Sequence, residues 1–197
     1  MMDADPPPTG NLGLQLILLL VLILVNAFFA ASEIAIITLN DSKIRKMAEE
    51  GHKKAQKVLA LTSDSSRFLA TIQIGVTLAG FFTSAFAAQS LASPLSAWLQ
   101  SVFPSLAAHA DLIYSVSTVV ITLIMSYFSL VLGELVPKRI AMQKAEPISF
   151  AVVGVLRVIA VIAKPFVKLL SVSTNVVAPR SGAPMTPFRR ARRRHGS

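Results

Sequence analysis

Residues 12–31 read LGLQLILLLVLILVNAFFAA and contain no charged side chain. A helix rises about 1.5 Å per residue, so about 20 apolar residues cross a hydrocarbon layer roughly 30 Å thick. This stretch is therefore predicted to span a membrane, with its inner end near Ser32 and Glu33. Residues 1–11 before it carry two aspartates and three consecutive prolines and are predicted to be disordered.

Two more stretches of the chain have the same apolar character. The whole chain is 53% hydrophobic and 15% charged, whereas a soluble domain is roughly one quarter charged. Spans are predicted at about 12–39, 68–92 and 112–136, with Pro94 and Pro104 in the loop between the second and third. The predicted fold class is an all-α membrane protein with three transmembrane helices plus amphipathic juxtamembrane helices.

Basic residues are segregated along the chain, and their placement predicts the topology. Residues 43–67 contain seven lysines and arginines, residues 68–137 contain none, and residues 138–168 contain six. The positive-inside rule then places the N-terminus outside and the C-terminus in the cytoplasm, across the inner or plasma membrane. The net charge of +9 reflects this topology and does not predict nucleic-acid binding. The arginine-rich tail, 178–197, is predicted to be disordered and free to contact anionic lipid.

Two segments combine apolar and basic side chains. Residues 41–61 are interrupted at Gly51, which predicts one or two short helices on the membrane surface, or a solvated cytosolic helix in the second half. Residues 147–174 carry three cations on one helical face: Arg157, Lys164 and Lys168. Because charge in lipid is costly, an interfacial helix is predicted there, with a fourth span as the alternative.

Several kinds of site are missing from the sequence. The chain has no cysteine, and its three histidines lie far apart with no metal-ligand spacing. No nucleophile–base pair or phosphate-binding loop stands out either. The sequence therefore predicts neither an enzyme nor an organic cofactor.

The third predicted span carries a stripe of small polar residues. They are three or four residues apart and fall on one face of a helix: Ser115, Thr118, Thr122, Ser126, Ser129 and Gly133. Such a face suits a water-lined or ligand-lined seam. Packing of one helix on another by small polar residues is the alternative, and it is common in membranes.

The stripe ends at a proline that affects the backbone. Pro137 has no N–H, and its ring clashes with the carbonyl of Gly133 four residues earlier, so a helix break is predicted there. The freed carbonyl would lie beside Glu134, and two hard oxygens of this kind suit Mg²⁺ or Na⁺. An ion pair between Glu134 and Lys138, four residues apart, is the alternative.

The first span offers a partner for this site. Ser32 and Glu33 lie at the same inner level as Glu134, because both spans end on the cytoplasmic side. Two carboxylates at one depth need a counter-charge, which a bound cation or the nearby lysines could provide. Thr77 in the second span is a weaker candidate hydroxyl ligand.

Three elements follow one another along the chain: Asn26-Ala-Phe-Phe-Ala-Ala-Ser32-Glu33, Phe68-Leu-Ala-Thr-Ile-Gln-Ile-Gly75-Val-Thr77-Leu and Gly133-Glu134-Leu-Val-Pro137-Lys138. In that order and spacing they resemble the membrane domain of the CNNM/CorC family, also called hemolysin-C-related proteins. The resemblance covers about residues 12–170. It implies a homodimeric three-span domain with a belt helix and a vestibule facing the cytosol, and it implies transport or export of Mg²⁺ coupled to Na⁺.

The resemblance also implies a set of ligands for the transported ion. In the family, Mg²⁺ is held by hydroxyls of spans one and two, an amide of span two, and the glycine carbonyl and glutamate of span three. The positions that match are Ser32, Gly133 and Glu134. The departures are Ala30 for a serine, and Val76 and Gly80 for asparagines. These departures remove oxygen ligands.

The predicted function is therefore cation export, with Mg²⁺ first and Ser32, Gly133, Glu134 and the weaker Thr77 as ligands. The form Gln73-Ile-Gly-Val-Thr77-Leu resembles a subgroup in which some members have been linked to polyamine export, and this is one alternative. Family members usually carry a pair of CBS modules after the membrane domain, and this chain stops before such a region. A non-transporting sensor or scaffold that has lost its CBS domains is the other alternative.

Overall fold

The computed structural model describes residues 11–177, apart from the side chains of residues 65–67, 106, 107, 171, 175 and 177. The predictions for residues 1–10 and 178–197 lie outside this range. The elements in chain order are α1 (Leu12–Ile37), α2 (Asp41–Glu49), α3 (Lys53–Thr62), α4 (Ser65–Val102), a 3-10 turn (Pro104–His109), α5 (Ala110–Leu130), a π turn (Val131–Leu135), α6 (Val136–Gln143) and α7 (Ala145–Val177).

Every element among residues 11–177 is helical, and four stretches are long and apolar enough to cross a membrane. They are Leu12–Ile37, Phe68–Val102, Ala110–Gln143 and Ala145–Thr174. Large apolar side chains such as Leu16, Val119 and Leu123 are exposed on their outer faces, as lipid contact requires. The prediction of an all-α membrane protein is confirmed.

Helix α7 differs from its prediction as an interfacial helix. It has the length and hydropathy of a span, and Pro165 lies inside it without ending it. Its buried side chains Val152 and Leu156 pack with Ile36 of α1 and with Phe68 and Ile72 of α4. By dimensions it is a fourth span-like helix beside the three predicted ones.

Helices α2 and α3 occupy the stretch where the sequence predicts one or two short amphipathic helices. Asn40 begins α2 by accepting a hydrogen bond from the Lys43 N–H at 3.1 Å. Gly51 adopts a φ of 90° between the two helices, in the left-handed region that favours glycine. The apolar sides of both helices pack on Val153 of α7, so their basic sides face outward.

Two proline positions correct the predicted boundaries. Helix α4 continues through Pro94 to Val102, so the second span exceeds the predicted 68–92. A proline costs a helix one hydrogen bond. Burial of Ala92 and Ser96 on either side of Pro94 keeps the segment helical. The loop predicted between spans two and three shrinks to Phe103 and the short 3-10 turn.

The predicted break at Pro137 is also wrong. The third span runs from Ala110 to Gln143 rather than 112–136, and a π turn at Val131–Leu135 joins α5 to α6 without interruption. Pro137 lies in the first turn of α6, where a missing N–H is tolerated best. The wide turn lets the chain pass the proline ring and remain helical.

A close contact between α1 and α4 provides a test of this packing. A Cβ added to Gly75 would lie 2.5 Å from Cε1 of Phe29, so Gly75→Ala forces the Phe29 ring, or the helix that carries it, to move. We expect a loss of about 1–3 kcal/mol in the free energy of unfolding, measured by denaturation in detergent micelles. Gly154→Ala is the control, because nothing lies within 4 Å of its added Cβ. Equal stability of the two variants would contradict the packing.

Candidate functional site

Gly133 brings α1 against the π turn. A Cβ at this position would lie 2.8 Å from Nδ2 of Asn26 and 3.4 Å from the backbone oxygen of Ile23. Gly133 itself is buried. Only a residue without a side chain allows α1 to come this close, so Gly133 positions the two helices.

The π turn leaves backbone carbonyls short of donors. The Val136 N–H donates to the carbonyl of Val131 five residues earlier. In π-helical geometry the carbonyl of Leu132 would accept a bond from the N–H of residue 137. In α-helical geometry the carbonyl of Gly133 would accept a bond from that same N–H. Pro137 has no N–H to give either of them. The predicted loss of the usual donor to Gly133 therefore follows from the chemistry of proline, although the helix does not end.

A cavity of about 310 Å³ opens beside this turn. Helices α1, α4 and α5 and the π turn all contribute to it. Its walls combine polar and apolar side chains: Asn26, Val76, Thr77, Gly80, Phe81, Ser84, Ser126, Ser129, Leu130 and Glu134. Two predicted ligands, Thr77 and Glu134, meet here, and Gly133 lies next to them in the chain.

Asn26 is the functional candidate that the ligand prediction missed. Its side chain is 3% exposed, and its Oδ1 has no hydrogen-bond partner. An unpaired buried polar atom costs about 1–3 kcal/mol, which favours a role for that atom. The available sequence signal was a lone amide near the inner end of a stretch without charge.

Ser32 is placed differently from the other predicted ligands. It is fully buried, and its Oγ donates to the carbonyl of Phe28 at 2.6 Å. It does not line the cavity with Thr77 and Glu134. The structure therefore brings two of the four predicted residues, Thr77 and Glu134, together in the cavity wall, places Gly133 beside Glu134 in the chain, and sets Ser32 within α1's own hydrogen bonding.

The polar stripe on α5 divides into two halves. Ser115, Thr118 and Thr122 donate to carbonyls four residues earlier in their own helix. Ser126 and Ser129, nearer the π turn, line the cavity. The hydroxyls in the outer half of the stripe are thus hydrogen-bonded to backbone carbonyls of their own helix. The hydroxyls in the inner half contribute to the candidate site.

An ion triad lies next to the cavity and consists of Glu33, Glu134 and Lys138. The Lys138 Nζ lies 2.7 Å from Oε1 of Glu134 and 3.4 Å from Oε2 of Glu33. The three side chains are 21–30% exposed. Lys138 is thus the counter-charge for Glu33 and Glu134 in the structure. This agrees with the alternative in which a nearby lysine, and not a bound cation, neutralises the two carboxylates.

The sequence model described as the cyclin M transmembrane N-terminal domain, CNNM, matches residues 17–189. The chain belongs to the CNNM family. The predicted resemblance is therefore confirmed, and the protein is a multi-pass membrane protein of this family.

Relatives of this CNNM domain occur in several bacteria. The UPF0053 protein sll0260 of Synechocystis is 36% identical over 169 residues, covering 86% of this chain and 37% of the relative. The UPF0053 protein YhdP of Bacillus subtilis is 33% identical over 85% of this chain and 37% of its own length. The UPF0053 inner membrane protein YfjD of Escherichia coli is 25% identical over 80% of this chain and 33% of its own. The chain thus spans 33–37% of the length of these relatives.

The unpaired amide in this CNNM domain can be tested through stability alone. Asn26→Leu replaces the amide, whose Oδ1 has no partner, with an apolar side chain. We expect the free energy of unfolding, measured in detergent without added cation, to be unchanged or to rise by about 1 kcal/mol. Ser32→Ala is the matched comparison at another buried polar position of the same helix. It removes a formed hydrogen bond and should lose about 1 kcal/mol. A clear loss of stability in Asn26→Leu would show that protein groups satisfy the amide.

Proposed function

We propose that this domain moves a cation across the membrane, and that Mg²⁺ is the first candidate. The observation that carries the proposal is a cavity whose wall includes both Glu134 and the buried side chain of Asn26, an amide whose Oδ1 has no hydrogen-bond partner. An oxygen acceptor without a hydrogen-bond donor, near a carboxylate, is typical of an empty cation site.

The oxygen set fits a hard divalent ion. Glu134 supplies charge, Asn26 an amide oxygen, and Thr77, Ser126 and Ser129 supply hydroxyls around the same cavity. The backbone at Gly133, which has no α-helical donor at Pro137, adds a carbonyl. Mg²⁺ prefers oxygen ligands and keeps several waters. A cavity of about 310 Å³ has room for a partly hydrated ion.

The position of the cavity suits transport. It lies where α1, α4 and α5 meet, and the backbone beside it is a π turn inside a span-like helix. Irregular helical backbone in a membrane is tolerated where it faces protein or a water-lined cavity, and transporters use it to coordinate ions. Alternating access to this cavity from the two sides of the membrane would complete the mechanism. Homodimerisation, coupling to Na⁺ and a cytoplasmic C-terminus stay predictions.

A polyamine is the second candidate, and the ion triad favours it. The Lys138 ammonium, carried on an alkyl stem, is held between Glu33 and Glu134. The end of a polyamine is the same chemical group. Apolar side chains in the cavity wall, Val76, Phe81 and Leu130, would suit its methylene chain.

Binding to purified protein tests the proposal. Glu134→Gln removes the charge but keeps the shape, so we expect Mg²⁺ affinity to fall about tenfold or more in calorimetric titration. Glu50→Gln is the matched control, because Glu50 caps the C-terminal end of α2 and forms an exposed pair with Lys46. Helix content and elution volume of each variant show whether it is folded.

Transport is measured with the same proteins in liposomes containing a Mg²⁺-sensitive dye. Wild type and Glu50→Gln should move Mg²⁺, and Glu134→Gln should not. Displacement of Mg²⁺ by spermidine at lower concentration would favour the polyamine. Equal binding and transport by wild type and Glu134→Gln would overturn the proposal and leave the non-transporting scaffold.

A further inference from the structure

The ion triad places one ammonium between two carboxylates. Lys138 is the one cation within 4 Å of Glu33 or Glu134 among the side chains that the structure describes. The group therefore keeps a net charge of −1. Because all three side chains are more than two-thirds buried, solvent screens this charge only partly.

Glu134 belongs to two sets of residues at once. It lines the cavity with Asn26 and Thr77, and it accepts the 2.7 Å bond from Lys138. Glu33 and Lys138 do not line the cavity. A cation in the cavity and the Lys138 ammonium would therefore share one carboxylate, and their like charges would repel each other.

We propose that Lys138 is a tethered competitor for the transported cation, and that Glu33 receives it when the cation binds. The inference rests on the proposed function of the cavity. Without cation, Lys138 holds the charge of Glu134. With cation, Glu134 turns to the cavity and the ammonium passes to Glu33.

The geometry makes the exchange short. The Lys138 Nζ is already 3.4 Å from Oε2 of Glu33. A shift of less than about 1 Å would bring it to hydrogen-bond distance. The ammonium sits on a flexible four-carbon stem with three donors, so it can follow either carboxylate.

This competition gives Lys138 a role in ion selection. Attraction to Glu134 scales with the charge of the competing ion. A monovalent ion replaces one positive charge by another and gains little, whereas a divalent ion gains more from the same carboxylate. Lys138 would thus favour Mg²⁺ over Na⁺ without contacting either.

The exchange would also link ion binding to the packing of α1. Glu33 lies in the last turns of α1, and Lys138 lies in the first turn of α6. A cation that releases Lys138 to Glu33 would tighten the bond between these helices. Binding of a cation in the cavity would then change the contact between α1 and α6 at the inner end of α1, near the basic helices α2 and α3.

A charge-matched double variant tests the proposal. Glu33→Gln with Lys138→Met removes one negative and one positive charge, so the net charge of the group is unchanged and Glu134 is free. We expect Mg²⁺ to bind this variant about tenfold more tightly than wild type in calorimetric titration. Lys138→Arg is the control: it keeps the competitor and should show no gain in affinity.

The single variant Glu33→Gln adds an independent arm. It leaves Lys138 with Glu134 alone, so Mg²⁺ should bind about threefold or more weakly than in wild type, and the same change in a Lys138→Met background should have little effect. The comparison of Glu33→Gln with wild type also serves if the double variant does not fold, because Glu33→Gln keeps the Lys138–Glu134 pair; the comparison in the Lys138→Met background needs the double variant. Equal affinity of Glu33→Gln and wild type would overturn the proposal.

The outcomes separate this inference from the proposed function. If binding depends on Glu134 and the double variant binds no more tightly than wild type, the competitor role fails and the cation site stands. If the double variant binds Mg²⁺ where wild type binds too weakly to measure, the competitor role is supported. If no variant binds, or if Glu134→Gln binds as wild type does, both fail.

Discussion

The close approach of α1 to the π turn is the contact on which the site depends. Gly133 allows it, since a Cβ there would lie 2.8 Å from the Asn26 amide. That approach buries Asn26, brings Glu33 within reach of Lys138, and closes one wall of the cavity. The absence of a side chain at Gly133 is therefore what allows these contacts to form together.

Hydropathy and charge were sufficient to predict the membrane fold, because lipid imposes strong rules on composition. The break between α2 and α3 at Gly51 also follows from local chemistry, since its φ of 90° suits glycine. The helix ends expected at Pro94 and Pro137 fail for a shared reason. A proline removes one hydrogen bond locally, and packing or a widened turn absorbs that loss.

The site was predicted less completely than the fold. Glu134 and Gly133 stand out beside Pro137, so a local argument finds them. Asn26 is one amide in an apolar stretch, and its importance depends on which helix faces it. Ser32 has the right chemistry and level, yet the direction of its hydroxyl depends on α1's own carbonyls. Contacts between distant parts of the chain decide both cases.

The π turn holds one residue more than an α-helical turn would, so it sets the rotational phase of everything after it. If that extra residue were absorbed into regular α-helix, α6 would turn by about 100° about its axis. Lys138 would swing away from the end of α1, so Glu33 would lose its ammonium while Glu134, four residues earlier on the same helix, would keep it. A change of one residue in helical register at the π turn would thus change which carboxylates Lys138 neutralises beside the cavity.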